Sequence, residues 1–355
     1  MLKARQCVRE MREYHSPLSS PTTELRLDMN ESTTGCSPRV LAKLNSMDVG
    51  TLAQYPRREA GEKLVSDFLG VAPQQLLLTN GADEAIDLLC RAYLEPQDEI
   101  VIVVPTFAMY EVFAQMEHAK AIRVPTGPDF SFPLERVLNA LTAKTRIVVI
   151  CNPNNPTGID VPRSAIMQVI QAAPDAAILL DEAYFDFYGQ TMIDQIGKLP
   201  NLFIARTFSK AYGLAGLRLG VMVGDQEQMS VLRRMASPFN VNAFAIECLA
   251  EALADRQFVA NYVAQVIASR EWLHKELEKL GFKCWPSHGN FILCRFGPEK
   301  KAILEALRAR AISLRDRPDC EGCVRITIGK QQEMERLMAE LKQVLSQLPA
   351  NQAAR

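Results

Sequence analysis

A lysine follows one apolar run of the sequence at a position where its amine could act as a nucleophile. Lys210 lies just past the run 202–207, in a loop that contains glycine. Taken alone, a lysine is far more often a solvated surface residue than a chemical group. Here two hydroxyls, Thr207 and Ser209, and the guanidinium of Arg218 offer donors for a phosphate beside the amine. A lysine in such a dry, cationic place can lose its proton and attack an aldehyde.

A second loop could hold an anion. The residues Asn80-Gly-Ala-Asp-Glu84 follow the apolar run 76–79 and open a helical pattern. Gly81 lets the backbone come close to a ligand, and the free N–H groups at a helix start favour negative charge. A glycine and an acidic residue also occur at ordinary helix starts. Combined with the first loop, this one predicts a single phosphate held from two sides.

Two further apolar runs end in polar residues. Asp181 directly follows the run 177–180, where it could bind a ligand or merely cap a helix. Asn152, Asn154 and Asn155 lie in a turn that two prolines make rigid, which could also be no more than a turn. Because open α/β sheets bind ligands at the carboxyl ends of their strands, we expect all four segments at one sheet edge.

The pattern from residue 70 onward predicts the elements that position these residues. Short apolar runs alternate with longer amphipathic stretches, which is typical of a covered parallel sheet. Helical spacing occurs at 82–92 and 163–172. The predicted strands are 76–79, 100–104, 121–124, 147–151, 177–180, 202–207 and 219–223.

The rhythm changes after about residue 255. A charged helical pattern at 261–280, short strands at 291–295 and 324–328, and a final amphipathic stripe predict a second, α+β unit. The predicted fold is α/β, with a mostly parallel seven-stranded sheet covered by helices in the large domain and a smaller α+β domain. The predicted limits are 46–255 for the large domain and 256–355 for the small one, with segment 1–45 packing with the small domain.

Composition excludes several classes of protein. The 355 residues include 40 Lys and Arg against 41 Asp and Glu, a formal net charge of −1, so no electrostatic footprint for nucleic acid or an anionic membrane is present. Partners are therefore expected to be small molecules or another subunit. The nine scattered cysteines and the absence of an apolar secretory core predict a cytoplasmic protein with reduced thiols. No apolar run approaches the roughly 20 residues that a membrane span requires.

One cysteine motif resembles half of a metal site. Cys320 and Cys323 form a single C-x-x-C pair. A structural zinc site usually needs a second ligand pair, and none with suitable spacing exists among the remaining Cys and His. The sequence therefore predicts no metal.

Together these motifs resemble the fold-type I pyridoxal-phosphate enzymes, and within them the histidinol-phosphate aminotransferase family. The similarity covers most of the chain, at 27–31, 55–56, 80–84, 105–110, 154–158, 181–184, 209–220, 290–292 and 324–329. The resemblance implies pyridoxal 5′-phosphate as the cofactor. It also implies transamination of L-histidinol phosphate with 2-oxoglutarate in histidine biosynthesis.

The resemblance also implies roles for individual residues. Lys210 would form the covalent link with the cofactor aldehyde and move a proton between the substrate α-carbon and the cofactor, and Asp181 would pair with the pyridine nitrogen. Tyr184 and Asn155 would donate to the cofactor phenolic oxygen, and Tyr110 would stack on its ring. The phosphate would be held by Gly81, Ala82, Asp83, Thr207, Ser209 and Arg218, together with Tyr55 of a neighbouring subunit, which implies a homodimer with shared active sites.

The substrate residues are expected in the small domain and the N-terminal segment. Arg325 stands within an apolar strand, and its planar fork suits a bidentate carboxylate, although a structural ion pair is also open. On the resemblance it binds the substrate carboxylate or, for histidinol phosphate, the phosphate. Asn30, Tyr14 and Arg315 would line the distal pocket.

The substrate itself is the least defined prediction. Segment 30–38 reads Asn-Glu-Ser-Thr-Thr-Gly-Cys-Ser-Pro, whereas the family usually has Asn-Glu-Asn-Pro followed by an aromatic residue and Gly-Pro. This entrance contributes to substrate choice. An aromatic or broad-range amino-acid aminotransferase is the alternative, followed by a phosphothreonine-type decarboxylase and a cofactor-binding regulator without activity.

Overall fold

The structure, a computed structural model, describes residues 2–11 and 25–348. In this part of the chain the strands form two sheets. The strands are β1 (Leu25–Leu27), β2 (Leu76–Thr79), β3 (Glu99–Val104), β4 (Lys120–Pro125), β5 (Thr145–Cys151), β6 (Ala177–Asp181), β7 (Leu202–Thr207), β8 (Gly220–Gly224), β9 (Lys283–Cys284), β10 (Phe291–Arg295), β11 (Ile312–Arg317) and β12 (Cys323–Thr327). The helices are α1 (Gln6–Glu10), α2 (Pro38–Asn45), α3 (Val49–Ala53), α4 (Arg58–Leu69), α5 (Gly81–Tyr93), α6 (Met109–Met116), α7 (Leu134–Ala140), α8 (Arg163–Ala172), α9 (Gln226–Met235), α10 (Ala243–Ala254), α11 (Arg256–Lys279), α12 (Lys300–Arg308) and α13 (Gln331–Gln347).

The larger sheet has seven strands in the order β2-β8-β7-β6-β5-β3-β4. Its neighbours are parallel except for β8, which runs antiparallel to both β2 and β7. The predicted mostly parallel seven-stranded sheet is therefore confirmed. Each predicted strand occurs, with bounds that differ by a few residues at most, and the predicted 219–223 is Gly220–Gly224.

Burial on both faces explains why these strands read as continuous apolar runs. In β6, Ile178 and Leu180 pack in the core on one face, with residues of α8 and α10. Leu179 of the same strand packs on the opposite face, in the core that includes residues of α5, α6 and α9. The two helical layers leave the carboxyl edge of the parallel strands to the loops.

The smaller sheet has five strands in the order β1-β11-β12-β10-β9. β1 joins its edge in parallel register with β11, pairing Leu25 with Ile312 and Leu27 with Leu314. The other neighbours are antiparallel. The buried residues of α11, α12 and α13 share one core with this sheet. The limits 1–45, 46–255 and 256–355 stay predictions.

Candidate active site

Strand ends bring the predicted loops to one edge of the large sheet. β2 and β7 run in the same direction because both are antiparallel to β8. Thr79 at the end of β2 and Thr207 at the end of β7 both pair with Gly220, the first residue of β8. Asp181 ends β6, between β5 and β7. The loops after four strands therefore open on one site.

Lys210 presents a partly buried amine at this site. Its Nζ donates to the backbone carbonyl of Met29 at 3.2 Å. Burial, with a further contribution from Arg325, lowers the pKa of Lys210 from 10.5 to about 8. A substantial fraction of the amine is therefore neutral in weakly alkaline solution, and only the neutral amine is a nucleophile.

Asp181 is a buried carboxylate with two donors. Tyr110 donates to its Oδ2 at 2.5 Å, and the backbone N–H of Ala183 donates to its Oδ1 at 2.9 Å. Burial raises the pKa of Asp181, whereas these two hydrogen bonds lower it. The Asp181 carboxylate would also hold a protonated nitrogen, because an ion pair with a cation stabilises the ionised form of the acid.

Tyr184 follows Asp181 closely in the sequence and is buried. Its hydroxyl contacts the N-terminal segment. Nδ2 of Asn30 donates to the Tyr184 hydroxyl at 2.9 Å. Burial raises the pKa of Tyr184 to about 12, although Arg325 and the bond from Asn30 lower it. The phenol therefore keeps its proton at neutral pH.

Arg325 joins the small sheet to the asparagine turn of the large one. Its Nη1 donates to Oδ1 of Asn155 at 2.7 Å, and its Nη2 donates to the carbonyl of Asp28 at 2.5 Å. The residue is buried, and its guanidinium also lies near the ring of Phe291. The proposed carboxylate-binding fork is thus held by oxygen acceptors of two separate segments.

The two loops that are predicted to hold a phosphate, around Gly81 and Arg218, lie against each other. Arg218 pairs with Asp83 at 3.0 Å, and a Cβ on Gly81 would collide with the Arg218 guanidinium. Gly81 has φ +80°, which only glycine adopts without strain. The hydroxyl of Thr207 donates to that of Ser209 at 2.9 Å. Guanidinium, hydroxyls and the first turn of α5 make a set of donors suited to a phosphate.

The residues predicted for the distal pocket have different placements. Arg315 lies directly opposite Arg325 in the register of β11 and β12. Asn30 is buried, and besides Tyr184 it contacts Thr327. Tyr14 lies outside the described residues. Tyr55 is 76% exposed, and its ring stacks on that of Phe239 at 4.2 Å between centroids.

Several site residues were not found from the sequence. The carbonyls of Asp28 and Met29 accept bonds from Arg325 and Lys210, respectively. Asn290 donates to the carbonyl of Asn30. These residues belong to segments that carry the family resemblance, but a backbone carbonyl leaves no signal in the residue type.

The site fits a pyridine aldehyde that carries a phosphate. Because position 81 is glycine, the guanidinium of Arg218 can lie against the start of α5, where it joins the free N–H groups of the helix as a donor for an anion. Lys210 supplies an amine for the aldehyde, and Asp181 supplies a buried carboxylate for a ring nitrogen. Residues 2–11 and 25–348 include no group of three or more His, Cys, Asp or Glu that could hold a metal ion, and Cys320 and Cys323 are free thiols.

Comparison with known proteins identifies the class. The family model for aminotransferase class I and II matches residues 22–341, so the chain belongs to this family of enzymes, whose cofactor is pyridoxal 5′-phosphate. The predicted enzyme class and cofactor are therefore confirmed.

Named relatives narrow the comparison within that family. A histidinol-phosphate aminotransferase of Dehalococcoides mccartyi is 34% identical and aligns over 89% of both chains. One from a Geobacillus strain is 36% identical over 92% of this chain and 91% of its own. The crystal structure of histidinol-phosphate aminotransferase from Sinorhizobium meliloti in complex with pyridoxal-5′-phosphate has a TM-score of 0.90 at 23% identity, covering 98% of this chain and 99% of that one. The predicted fold and family resemblance are confirmed.

Among the helices of the described residues, none is both long and apolar enough to cross a membrane.

Proposed function

We propose that the enzyme transfers the amino group of L-histidinol phosphate to 2-oxoglutarate, as a step of histidine biosynthesis. The names of the relatives support this substrate. The structural observation that carries it is the register of Arg315 and Arg325 on neighbouring strands. Residues directly opposite on antiparallel strands project from the same face of the sheet, so two guanidinium groups there would suit a phosphate dianion, and either of them would suit the carboxylate of the acceptor.

Lys210 and Asp181 are the proposed catalytic pair. When bound, pyridoxal phosphate supplies an aldehyde for the amine and a ring that withdraws electrons from the substrate α-carbon. Nζ of Lys210 would take the proton from that α-carbon and deliver it to the cofactor carbon that carried the aldehyde, a transfer that a pKa of about 8 favours. The carboxylate of Asp181 would hold the proton of the ring nitrogen in place, because burial removes competing water.

Other residues bind and orient the cofactor in this proposal. Tyr184 and Asn155 donate to its phenolic oxygen, and Tyr110 stacks on the ring. The phosphate is held by Gly81, Ala82, Asp83, Thr207, Ser209 and Arg218. Support comes from the convergence of these side chains at one sheet edge. Arg315 lines the distal pocket in this proposal.

The hydrogen bond between Arg325 and Asn155 supports a link between substrate binding and cofactor binding. Because Oδ1 of Asn155 accepts from Arg325, its amide nitrogen is left to donate to another oxygen. The same bond presents the guanidinium at a fixed angle. Binding of the substrate anion and binding of the cofactor oxygen are thus joined through one side chain.

The substrate is tested by half-reactions without an acceptor. The holoenzyme is mixed in turn with histidinol phosphate, phenylalanine, tyrosine and glutamate, and loss of the cofactor's aldehyde absorbance is followed. We expect conversion with histidinol phosphate and glutamate. If only phenylalanine and tyrosine react, the histidinol-phosphate assignment is wrong, the enzyme is an aromatic aminotransferase, and the amino-transfer chemistry stands.

We further propose a homodimer with shared active sites and a cytoplasmic location. Six exposed apolar side chains lie on or next to α2, α3 and the start of α10, and a second copy of the chain would cover them. They are Leu41, Val49, Leu52, Tyr55, Phe239 and Phe244. Tyr55 would then reach the phosphate of the neighbouring subunit. Nine free thiols support a reducing compartment.

A further inference from the structure

Asn30 uses every polar group of its backbone and side chain at the point where the chain leaves β1. Its N–H donates to Oγ1 of Thr327 at 2.9 Å, and its carbonyl accepts from Nδ2 of Asn290 at 3.1 Å. The residue has φ +54°, in the left-handed region, and is 1% exposed. Asparagine tolerates this backbone better than most residues. The bend therefore fixes where the side-chain amide begins.

The orientation of that amide is also fixed. Oγ1 of Thr327 accepts from the backbone of Asn30 and donates its own proton to Oδ1 of Asn30 at 3.2 Å. With the oxygen occupied on that side, the amide presents Nδ2 to the hydroxyl of Tyr184 at 2.9 Å. An amide nitrogen can only donate, so the Tyr184 oxygen must accept.

This bond constrains the phenol proton. A hydroxyl that accepts with a lone pair keeps its single O–H for another acceptor. Among the described residues no hydrogen bond with the Tyr184 hydroxyl as donor is formed, and the ring is held by an edge contact with Phe291, 4.9 Å between centroids. The proton is therefore directed at an acceptor that residues 2–11 and 25–348 do not provide.

We propose that Asn30 is a positioning residue, which by donating to Tyr184 turns the phenol O–H towards the phenolic oxygen of the cofactor. The inference rests on the proposed role of Tyr184 and adds a cause for it. The family resemblance predicts that Asn30 lines the distal pocket. In the structure its amide contacts Tyr184 and Thr327 instead of lying free for a ligand.

The test replaces Asn30 by glycine. Glycine accepts φ +54° without strain and keeps both backbone bonds, so Asn30→Gly removes only the amide. A hydrogen bond donated to the phenolic oxygen of the cofactor would stabilise the negative charge on that oxygen once the nitrogen that links the cofactor to Lys210 has lost its proton. Loss of the directed donor should therefore move the pH midpoint of the holoenzyme's absorbance change upward, by about half a pH unit. Tyr184→Phe should move it in the same direction and further.

The double variant separates positioning from a merely structural role. In the Tyr184→Phe background, Asn30→Gly should leave the midpoint where Tyr184→Phe alone puts it. Thr327→Val removes the hydroxyl that orients the amide and should give a smaller upward shift, which also serves if the glycine variant does not fold. Affinity for pyridoxal phosphate, measured by equilibrium dialysis, should fall in the same order.

Two results would overturn the inference. One is an Asn30→Gly variant whose absorbance changes at the same pH as that of the wild type while its unfolding midpoint in urea is lowered. The amide would then contribute to packing alone. The other is an equal shift whether or not Tyr184 is present. The titration needs no amino donor, so it is readable whether or not histidinol phosphate reacts, and a failed substrate assignment leaves this test intact.

Discussion

Tyr110 donates a 2.5 Å hydrogen bond to Oδ2 of Asp181, and both side chains are buried. The resemblance to known aminotransferases assigns Tyr110 the face of the cofactor ring. The structure adds a second contact, at the carboxylate proposed to hold the ring nitrogen. Tyr110 can therefore position the cofactor ring and also stabilise the charged carboxylate of Asp181.

Removing that hydroxyl should destabilise the protein even without cofactor. Tyr110→Phe leaves Oδ2 of Asp181 buried without its donor, and a hydrogen bond to a charged group contributes about 1.5–3 kcal/mol. We expect a loss of about 2 kcal/mol in the free energy of unfolding, measured in urea at pH 7. Tyr93→Phe is the control, because Tyr93 donates to Gln228 in a partly buried pair of neutral groups. Equal losses in the two variants would contradict the prediction.

Lys210 should weaken the cofactor-free fold in a pH-dependent way. Its folded pKa of about 8 lies below the ordinary 10.5, so burial disfavours the charged amine. The free-energy cost of burying the Lys210 amine is therefore largest below pH 8, where the amine is charged in both the folded and the unfolded protein. The cost disappears above pH 10.5, where the amine is neutral in both. Lys210→Met should be more stable than the wild type at pH 7 by up to about 3 kcal/mol, with the difference shrinking from pH 8 to 10.5.

A surface lysine gives the matched control for that measurement. Lys63 is exposed and pairs with Asp67 one turn along α4. Lys63→Met should change the unfolding free energy by about 0.5 kcal/mol or less at every pH. If Lys210→Met behaves like Lys63→Met, the amine is not held in a dry site and its proposed role as base loses its physical basis.

Sequence reasoning found the parts of the site that depend on residue type. Lys210, Asp181, Asn155 and Arg218 stand at strand ends or in the loops that follow them, and the strands themselves are continuous apolar runs. Buried parallel strands leave that signal because both faces are covered.

The missed parts depend on length and on backbone atoms. β1 has three residues and β9 has two, which is too short for an alternating pattern, and β11 ends in Arg-Asp-Arg. Their positions follow from pairing with distant strands. The carbonyls of Asp28 and Met29 became visible as partners of Arg325 and Lys210 only once β1 was placed.

Asp28 should also be a source of instability at neutral pH. It is 4% exposed, and its Oδ1 has no hydrogen-bond partner among the described residues. Burial raises the pKa of Asp28, although Arg26, Arg315 and Arg325 lower it. A raised pKa means that its contribution is favourable at low pH and is lost as the pH rises through the folded pKa.

The neutral isostere tests this directly. Asp28→Asn removes the buried charge, so its urea midpoint should exceed that of the wild type at pH 7, and the two should converge below about pH 4, the ordinary carboxyl pKa. Asp129→Asn on an exposed loop serves as the control. A wild type that is more stable than Asp28→Asn at pH 7 would show that the three arginines outweigh desolvation.

Substitution of Arg325 should affect substrate binding more than folding. Arg325→Lys keeps the charge, yet a single ammonium cannot bond to Asn155 and Asp28 and also present a planar pair of donors to the substrate anion. One lost charged hydrogen bond corresponds to an increase in KM of about ten- to a hundredfold for both histidinol phosphate and 2-oxoglutarate. Arg123→Lys is the control, since Arg123 forms a bidentate pair with Glu111 at the surface. An unchanged KM for both substrates would assign Arg325 to a structural ion pair.

The shared-site dimer can be tested by mixing two variants, each of which lacks one residue of the proposed shared site. Lys210→Ala lacks the amine of its own site, and Tyr55→Ala, altered at an exposed residue, would lack the phosphate contact given to its partner. If subunits exchange at random, half of the dimers are mixed, and each of these carries one site with both residues intact. Activity should therefore recover to about a quarter of the wild-type value, whereas variants of independent monomers would stay additive. A mixture of Lys210→Ala with Asp181→Ala is the control, because both changes fall in the same subunit's proposed site and the intact residues cannot meet.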